Sequence, residues 1–219
     1  MGAYICCGPW QYMLFRLLMA ATVSALVALE ILRGDLSLDW FLYAEHWVLL
    51  VALAYFMLAA SLTATAICSN GGESKRPPVL VVLCWMCYGM LLPSSFATAL
   101  TFALVTQGGD VLASPLAADA SSIWITVGLF ALVALDLWVN RQPYYATFHG
   151  FCGVAFCWSY MLFNLVWCVY FKLKDGHGHG YIYRQLDWHV TMTSGKLIML
   201  ELFVILPYFN ALYWAVLWA

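Results

Sequence analysis

The feature that most constrains this chain is the run from Phe41 to Ile67, FLYAEHWVLLVALAYFMLAASLTATAI. Glu45 is its one charged residue, and His46 stands beside it. A run of about 20 apolar residues is long enough to cross the hydrocarbon core of a bilayer. Inside that core every backbone polar group must be satisfied within the chain, so such a run is a helix. Similar runs recur along the sequence. Apolar length and the residues that interrupt it predict six spans, at 13–32, 41–67, 79–105, 123–139, 145–171 and 197–218. The expected fold class is all-α: a polytopic membrane helix bundle of about six transmembrane helices, forming one transmembrane domain over 1–219.

Composition supports that reading. Charged residues make up 9% of 219 and hydrophobic residues 65%, whereas soluble domains carry about 25% charge. So few charges cannot cover a water-facing surface, and the expectation is an integral, multi-pass membrane protein. A net charge of −2 gives no means of neutralising a row of phosphates, so nucleic acid is excluded as a partner. The expected partners are membrane lipids and other membrane protein subunits. Eleven Trp and thirteen Tyr suit the two membrane–water interfaces, where such rings gather.

The breaks between runs are well marked. Arg33-Gly34-Asp35 ends the first, Asn70-Gly71-Gly72 the second, and Asn140-Arg141-Gln142-Pro143 turns the chain between the fourth and fifth. Gln107–Ser122 reads as a loop. Pro93, followed by Ser94 and Ser95, is expected to kink the third span because proline removes a backbone donor. The first apolar run follows a nearly uncharged leader and reads as a retained span. Cys6 and Cys7 are candidates for acylation if they face the cytosol. Cys84 and Cys87 form a CxxC inside an apolar run, where thiols behave as small hydrophobes. Counting Arg16, Lys75, Arg76 and Arg141 on one side against Arg33, Lys172, Lys174, Arg184 and Lys196 on the other does not set the orientation.

Polar residues inside spans are costly and need partners. Glu30, Glu45 and His46 lie near span ends and are expected to reach the interface. Asp136 is one turn from the end of the fourth span, within reach of the Asn140-Arg141 turn. The fifth span carries His149, Gly153, Phe156, Tyr160, Asn164 and Trp167 at steps of four, three, four, four and three. That spacing is one helical face. Two readings stay open for it: a lipid or pocket lining through His149, Tyr160, Asn164 and Trp167, or hydrogen bonding between helices with small residues allowing close approach. The second is favoured.

Gly176–Trp188, GHGHGYIYRQLDW, is the long polar segment between two apolar runs. It is expected to be an ordered lid at the interface, with Tyr181, Tyr183, Asp187 and Trp188 as its structural residues. No metal site is expected, because His177 and His179, with His189 downstream, lack a Cys or carboxylate cluster. No cofactor is expected either; a haem between His46 and His149 is the one arrangement the histidines leave conceivable. There is no GxSxG, HExxH or Gly-rich phosphate loop.

YIYRQLDW after a glycine-rich loop resembles the YIYPxLDW signature of rolling-stone-like membrane proteins. LDLWVNRQP (Leu135–Pro143), with His149 shortly after, resembles the LLDLxxSRxP…H segment of that family. FLYAEHW (Phe41–Trp47) resembles its FxYLTxW, and LPYFNALYW in the last run matches in character. The family is similar to the androgen-induced membrane proteins, which implies an intramembrane hydrolase of fatty-acid esters using a Thr and a His. Carried over by position, the Thr falls on Glu45 and the His near Thr126. Both identities are replaced, and a carboxylate cannot stand in for a Thr nucleophile without changing the chemistry. Glu45, Thr126 and His149 are therefore the remaining catalytic candidates. Three readings of function follow. The first is a non-catalytic protein of rolling-stone type acting through intramembrane contacts, either alone or as an accessory subunit of a larger complex. The second is an intramembrane lipid-ester hydrolase. The third is a small transporter or channel, with Pro93 and Pro207 as helix breaks.

Overall fold

The computed structural model describes residues 8–34, 38–68, 79–107, 123–140 and 145–171. The predicted sixth span, the Gly176–Trp188 lid, Cys6, Cys7 and the downstream histidines lie outside the described residues, as does the predicted Gln107–Ser122 loop beyond Gln107 itself, which ends a helix.

Every described element is a helix. Helix α1 is Pro9–Gly34, followed by a 3-10 turn at Leu38–Leu42. Helix α2 is Ala44–Cys68 and α3 is Val79–Gln107. A π-helical turn at Trp124–Gly128 leads into α4, Leu129–Asn140. Helix α5, Ala146–Leu165, runs on into a second π-helical turn, Val166–Tyr170. Four of these helices are long and apolar enough to cross a membrane, and Trp124–Asn140 is a shorter apolar helix. The sequence placed Phe41–Tyr43 in the second span; there the chain forms the end of the 3-10 turn and a bend, and α2 starts at Ala44. The 3-10 turn is tighter than an α-helix and serves as a connector.

The core lies between α1, α2, α3 and α4. Val23 of α1, Leu49, Ala52, Tyr55 and Phe56 of α2, Tyr88 and Leu91 of α3, and Val133 of α4 are fully buried in it. α1 packs on α2 and α2 on α3, and α3 contacts both α4 and α5.

Pro93 lies inside α3 with helix continuing on both sides. Its ring leaves the Gly89 carbonyl without the usual helical donor. That carbonyl faces α5: a Cβ added to Gly153 would stand 3.1 Å from Gly89 O and 2.8 Å from Pro93 Cγ. A Cβ on Gly89 would in turn meet the His149 backbone at 3.0 Å. The two glycines thus let α3 and α5 touch backbone to backbone, the contact that small residues provide between membrane helices.

Candidate functional site

Two groups of buried polar side chains lie at opposite ends of the bundle. The first begins with Arg16, two turns into α1 and buried. Its Nε and Nη2 donate to the Tyr12 hydroxyl at 3.0 and 2.8 Å, one turn back on the same helix. Its Nη1 lies 2.9 Å from Asp136 Oδ1 on α4 and donates to the Tyr55 hydroxyl of α2 at 3.2 Å. Tyr55 donates to Asp136 Oδ2 at 2.6 Å. The Asn140 amide, one turn on from Asp136, reaches both carboxylate oxygens at 3.3 Å. The guanidinium also sits over the rings of Tyr12 and Tyr55, at 5.3 and 5.6 Å, where a cation is attracted to the ring face.

Aromatic contacts extend this group to the remaining helices. The Tyr55 and Tyr88 rings are 5.4 Å apart, and Tyr88 meets His149 edge to face at 6.1 Å. The His149 Nδ1 accepts from the Tyr145 backbone N–H at 2.9 Å, which satisfies a donor at the start of α5. Arg16, Tyr55, Tyr88, Asp136 and His149 come one from each helix, and each is 2% exposed or less. The layer therefore reads as a chain of contacts from α1 through α4, α2 and α3 to α5.

The second group lies where α1 ends and α2 begins. Glu30 and His46 face each other, with Oε2 to Nε2 at 3.6 Å. His46 Nδ1 is 2.6 Å from the Trp40 carbonyl, and the two rings stack at 4.2 Å. On α5, the Tyr160 hydroxyl donates to the Leu42 carbonyl at 2.8 Å. This ties the middle of α5 to the 3-10 turn, whose carbonyls would otherwise be short of donors. The Trp47 indole donates to the Phe41 carbonyl at 2.7 Å and packs against Tyr160 and Phe163.

The candidates named from sequence divide between the two ends. His149 belongs to the Arg16 end. Glu45 lies in the first turn of α2, at the opposite end, and is half-buried. Thr126 is buried in the π-helical turn that opens α4, also away from His149. The three do not come together. His46 and His149 lie at opposite ends too, so they cannot hold one haem between them. The α5 face has the predicted alignment: His149, Tyr160 and Asn164 are buried, and Gly153 sits at the helix contact. Trp167 lines an open apolar groove of about 330 Å³ with Phe163, Val166 and Phe171. Tyr181, Tyr183, Asp187 and Trp188 are outside the described residues.

Three expectations need correction. Glu30 and His46 do not reach out to the interface; they turn inward, 7% and 4% exposed, because each helix end offers the other a polar partner. Arg16 is not a loop charge for orientation counting, since it is spent on Asp136. Asp136 does bond Asn140 as expected, but Arg16 is its main partner. Sequence reasoning missed Arg16 as a site residue. The available signal was the Tyr12–Arg16 spacing of four inside an apolar run, a pair that shares one helical face.

Among the described residues, no group of three or more His, Cys, Asp or Glu could hold a metal ion. Cys84, Cys87 and Cys152 are free thiols. Compared with family models, with curated proteins and with solved structures, the chain matches none.

Proposed function

We propose that this chain is a non-catalytic, multi-pass membrane protein that acts through contacts within the bilayer, as an accessory subunit of a larger membrane complex. In this reading it crosses the bilayer six times, with the Leu197–Trp218 run as the sixth span. The observation that carries it is how the polar side chains inside the helices are used. Arg16, Tyr55 and Asp136 bond to one another across three helices. They secure helix positions, and among the described residues the candidates Glu45, Thr126 and His149 are not brought together as a reacting pair. A hydrolase needs its nucleophile and base within hydrogen-bond reach, and Glu45 and Thr126 stand at the other end of the bundle from His149.

One further observation favours a bilayer setting, and another weighs against a transport pathway. Trp10, Trp138 and Tyr145 are exposed near one end of the bundle, and Phe41, Trp124 and Tyr170 near the other. That is the distribution of two interface belts. Between the two polar groups, α1 presents Ala20, Val23 and Val27, all buried and apolar. A transport pathway would need polar or wet stations there.

The resemblance to rolling-stone-like proteins agrees with this reading and rests on the short motifs quoted above. The test is purification from native membranes in mild detergent, with a lipid-ester turnover assay on the same material. The expected outcome is migration with at least one other membrane protein and no turnover above background. A chain that migrates only as a monomer contradicts the subunit reading. Turnover that disappears in Glu45→Gln or Thr126→Ala replaces it with the hydrolase reading.

A further inference from the structure

The Glu30–His46 pair plays no part in the Arg16 layer, and its geometry is incomplete in a specific way. A carbonyl oxygen can only accept, so the His46 Nδ1 that lies 2.6 Å from the Trp40 carbonyl carries its hydrogen and donates it. In a neutral imidazole the other nitrogen, Nε2, is then a bare acceptor. Nε2 faces Glu30 Oε2 at 3.6 Å and has no hydrogen-bond partner. Both side chains are more than nine-tenths buried, at 5% and 9% exposure. A lone pair set against a carboxylate in an apolar shell leaves the buried Nε2 acceptor unsatisfied, which is costly.

One proton completes the pair. Placed on Nε2 it makes an imidazolium that donates to the carboxylate. Placed on Oε2 it makes a carboxylic acid that donates to Nε2. Either way the pair is neutral overall and joined by one hydrogen bond. We propose that Glu30 and His46 form a one-proton binding site, in which a hydrogen held between Nε2 and Oε2 fastens the end of α1 to the start of α2. This holds whether or not the chain is a subunit of a complex.

The surroundings suit a held proton. The Trp40 ring stacks on the imidazole within 3° of parallel, and the Tyr43 ring meets it edge-on at 5.9 Å. Of the other groups near the pair, Arg33 is exposed in the last turn of α1, and Glu45 is half-buried next to His46. From α5, Tyr160 spends its hydroxyl hydrogen on the Leu42 carbonyl. The site binds a proton and does not pass it on along α1. Glu30 and Arg16 are four turns apart, about 21 Å at 1.5 Å per residue, with the apolar Ala20, Val23 and Val27 between them.

The test is nitrogen NMR of the full chain in detergent at neutral pH, with labelled histidine. The His46 signals are identified by their loss in His46→Gln. In the wild type, Nδ1 is expected as N–H and Nε2 as protonated or sharing a hydrogen; in Glu30→Leu, Nε2 moves to the position of a bare ring nitrogen. A bare Nε2 in the wild type overturns the proposal whatever the variants do. So does a protonated Nε2 that is unchanged in Glu30→Leu. If Glu30→Leu does not fold, Glu30→Gln provides the comparison: its amide can donate to Nε2 but supplies no proton, so Nε2 must lose its hydrogen there.

Discussion

The two polar ends of this bundle use the same kinds of side chain to different effect. At the Arg16 end, charge meets charge at 2.9 Å and further donors close around the carboxylate. At the His46 end, the acid and the imidazole stop 3.6 Å apart, and the Trp40 indole N–H beside them has no hydrogen-bond partner. The first arrangement joins three helices: Arg16 of α1 and Tyr55 of α2 both bond Asp136 of α4, while Tyr12 and Asn140 close the group from within α1 and α4. In the second, the gap between Nε2 and Oε2 is the place proposed above for one held hydrogen. A polar group buried in a membrane helix is thus not by itself a functional site. What distinguishes the two ends is whether donors and acceptors balance.

This comparison can be broken at several points. The largest expected effect is Asp136→Leu, which strands the Arg16 guanidinium in an apolar core. Removing one partner of a buried ion pair costs about 3–5 kcal/mol, so thermal unfolding in detergent should shift strongly downward. Next comes Tyr55→Phe, which deletes the hydroxyl between Arg16 and Asp136. A hydrogen bond to a charged group contributes about 1.5–3 kcal/mol, and the Tyr55 ring contacts should survive. A loss as small as that of a neutral hydrogen bond would mean that the layer is less tightly coupled than its distances imply.

Gly153→Leu tests the α3–α5 contact. The added side chain would run into Pro93 and the Gly89 carbonyl, and overpacking of this kind costs about 1–3 kcal/mol. Tyr160→Phe should cost about 0.5–1.5 kcal/mol, the value of one neutral hydrogen bond, and loosen the 3-10 turn in hydrogen exchange. The smallest change is expected from Trp40→Phe, within about 1 kcal/mol of the wild type, because the indole N–H it removes makes no hydrogen bond. A large loss at Trp40 would show that the His46 end is as tightly built as the Arg16 end.

Much of this was legible in the sequence. Four helices long and apolar enough to cross a membrane, and the shorter Trp124–Asn140, fall close to where apolar length and the breakers at Gly34 and Asn140 put them, because bilayer thickness sets the length of a crossing helix. The face of α5 was legible for the same kind of reason, since helical period survives in any environment. Gly153 reads in the sequence as a small residue allowing close approach, and α3 does approach it closely. Arg16 was not legible as the partner of Asp136. Their meeting depends on how α1 and α4 pack, and no local pattern records that. The same is true of Glu30 and His46: each looked like a helix-end residue reaching for water, and only the antiparallel pairing of α1 with α2 turns them toward each other. The end of the 3-10 turn, Phe41 and Leu42, reads as part of the second span because these two residues are as apolar as the helix that follows. Position relative to short motifs points to Glu45, Thr126 and His149 as hydrolase candidates, but it carries no information about which end of the bundle each occupies.

The central claim is that the buried polar residues of the Arg16 layer hold helices in place. A double-mutant cycle on Arg16→Met and Asp136→Leu, read by thermal unfolding of the purified chain, tests it most directly. If the layer is structural, each single variant loses about 3–5 kcal/mol, and the double variant is more stable than either, because it leaves no stranded charge. Losses that simply add would contradict the account, because they would mean that Arg16 and Asp136 do not hold α1 and α4 together.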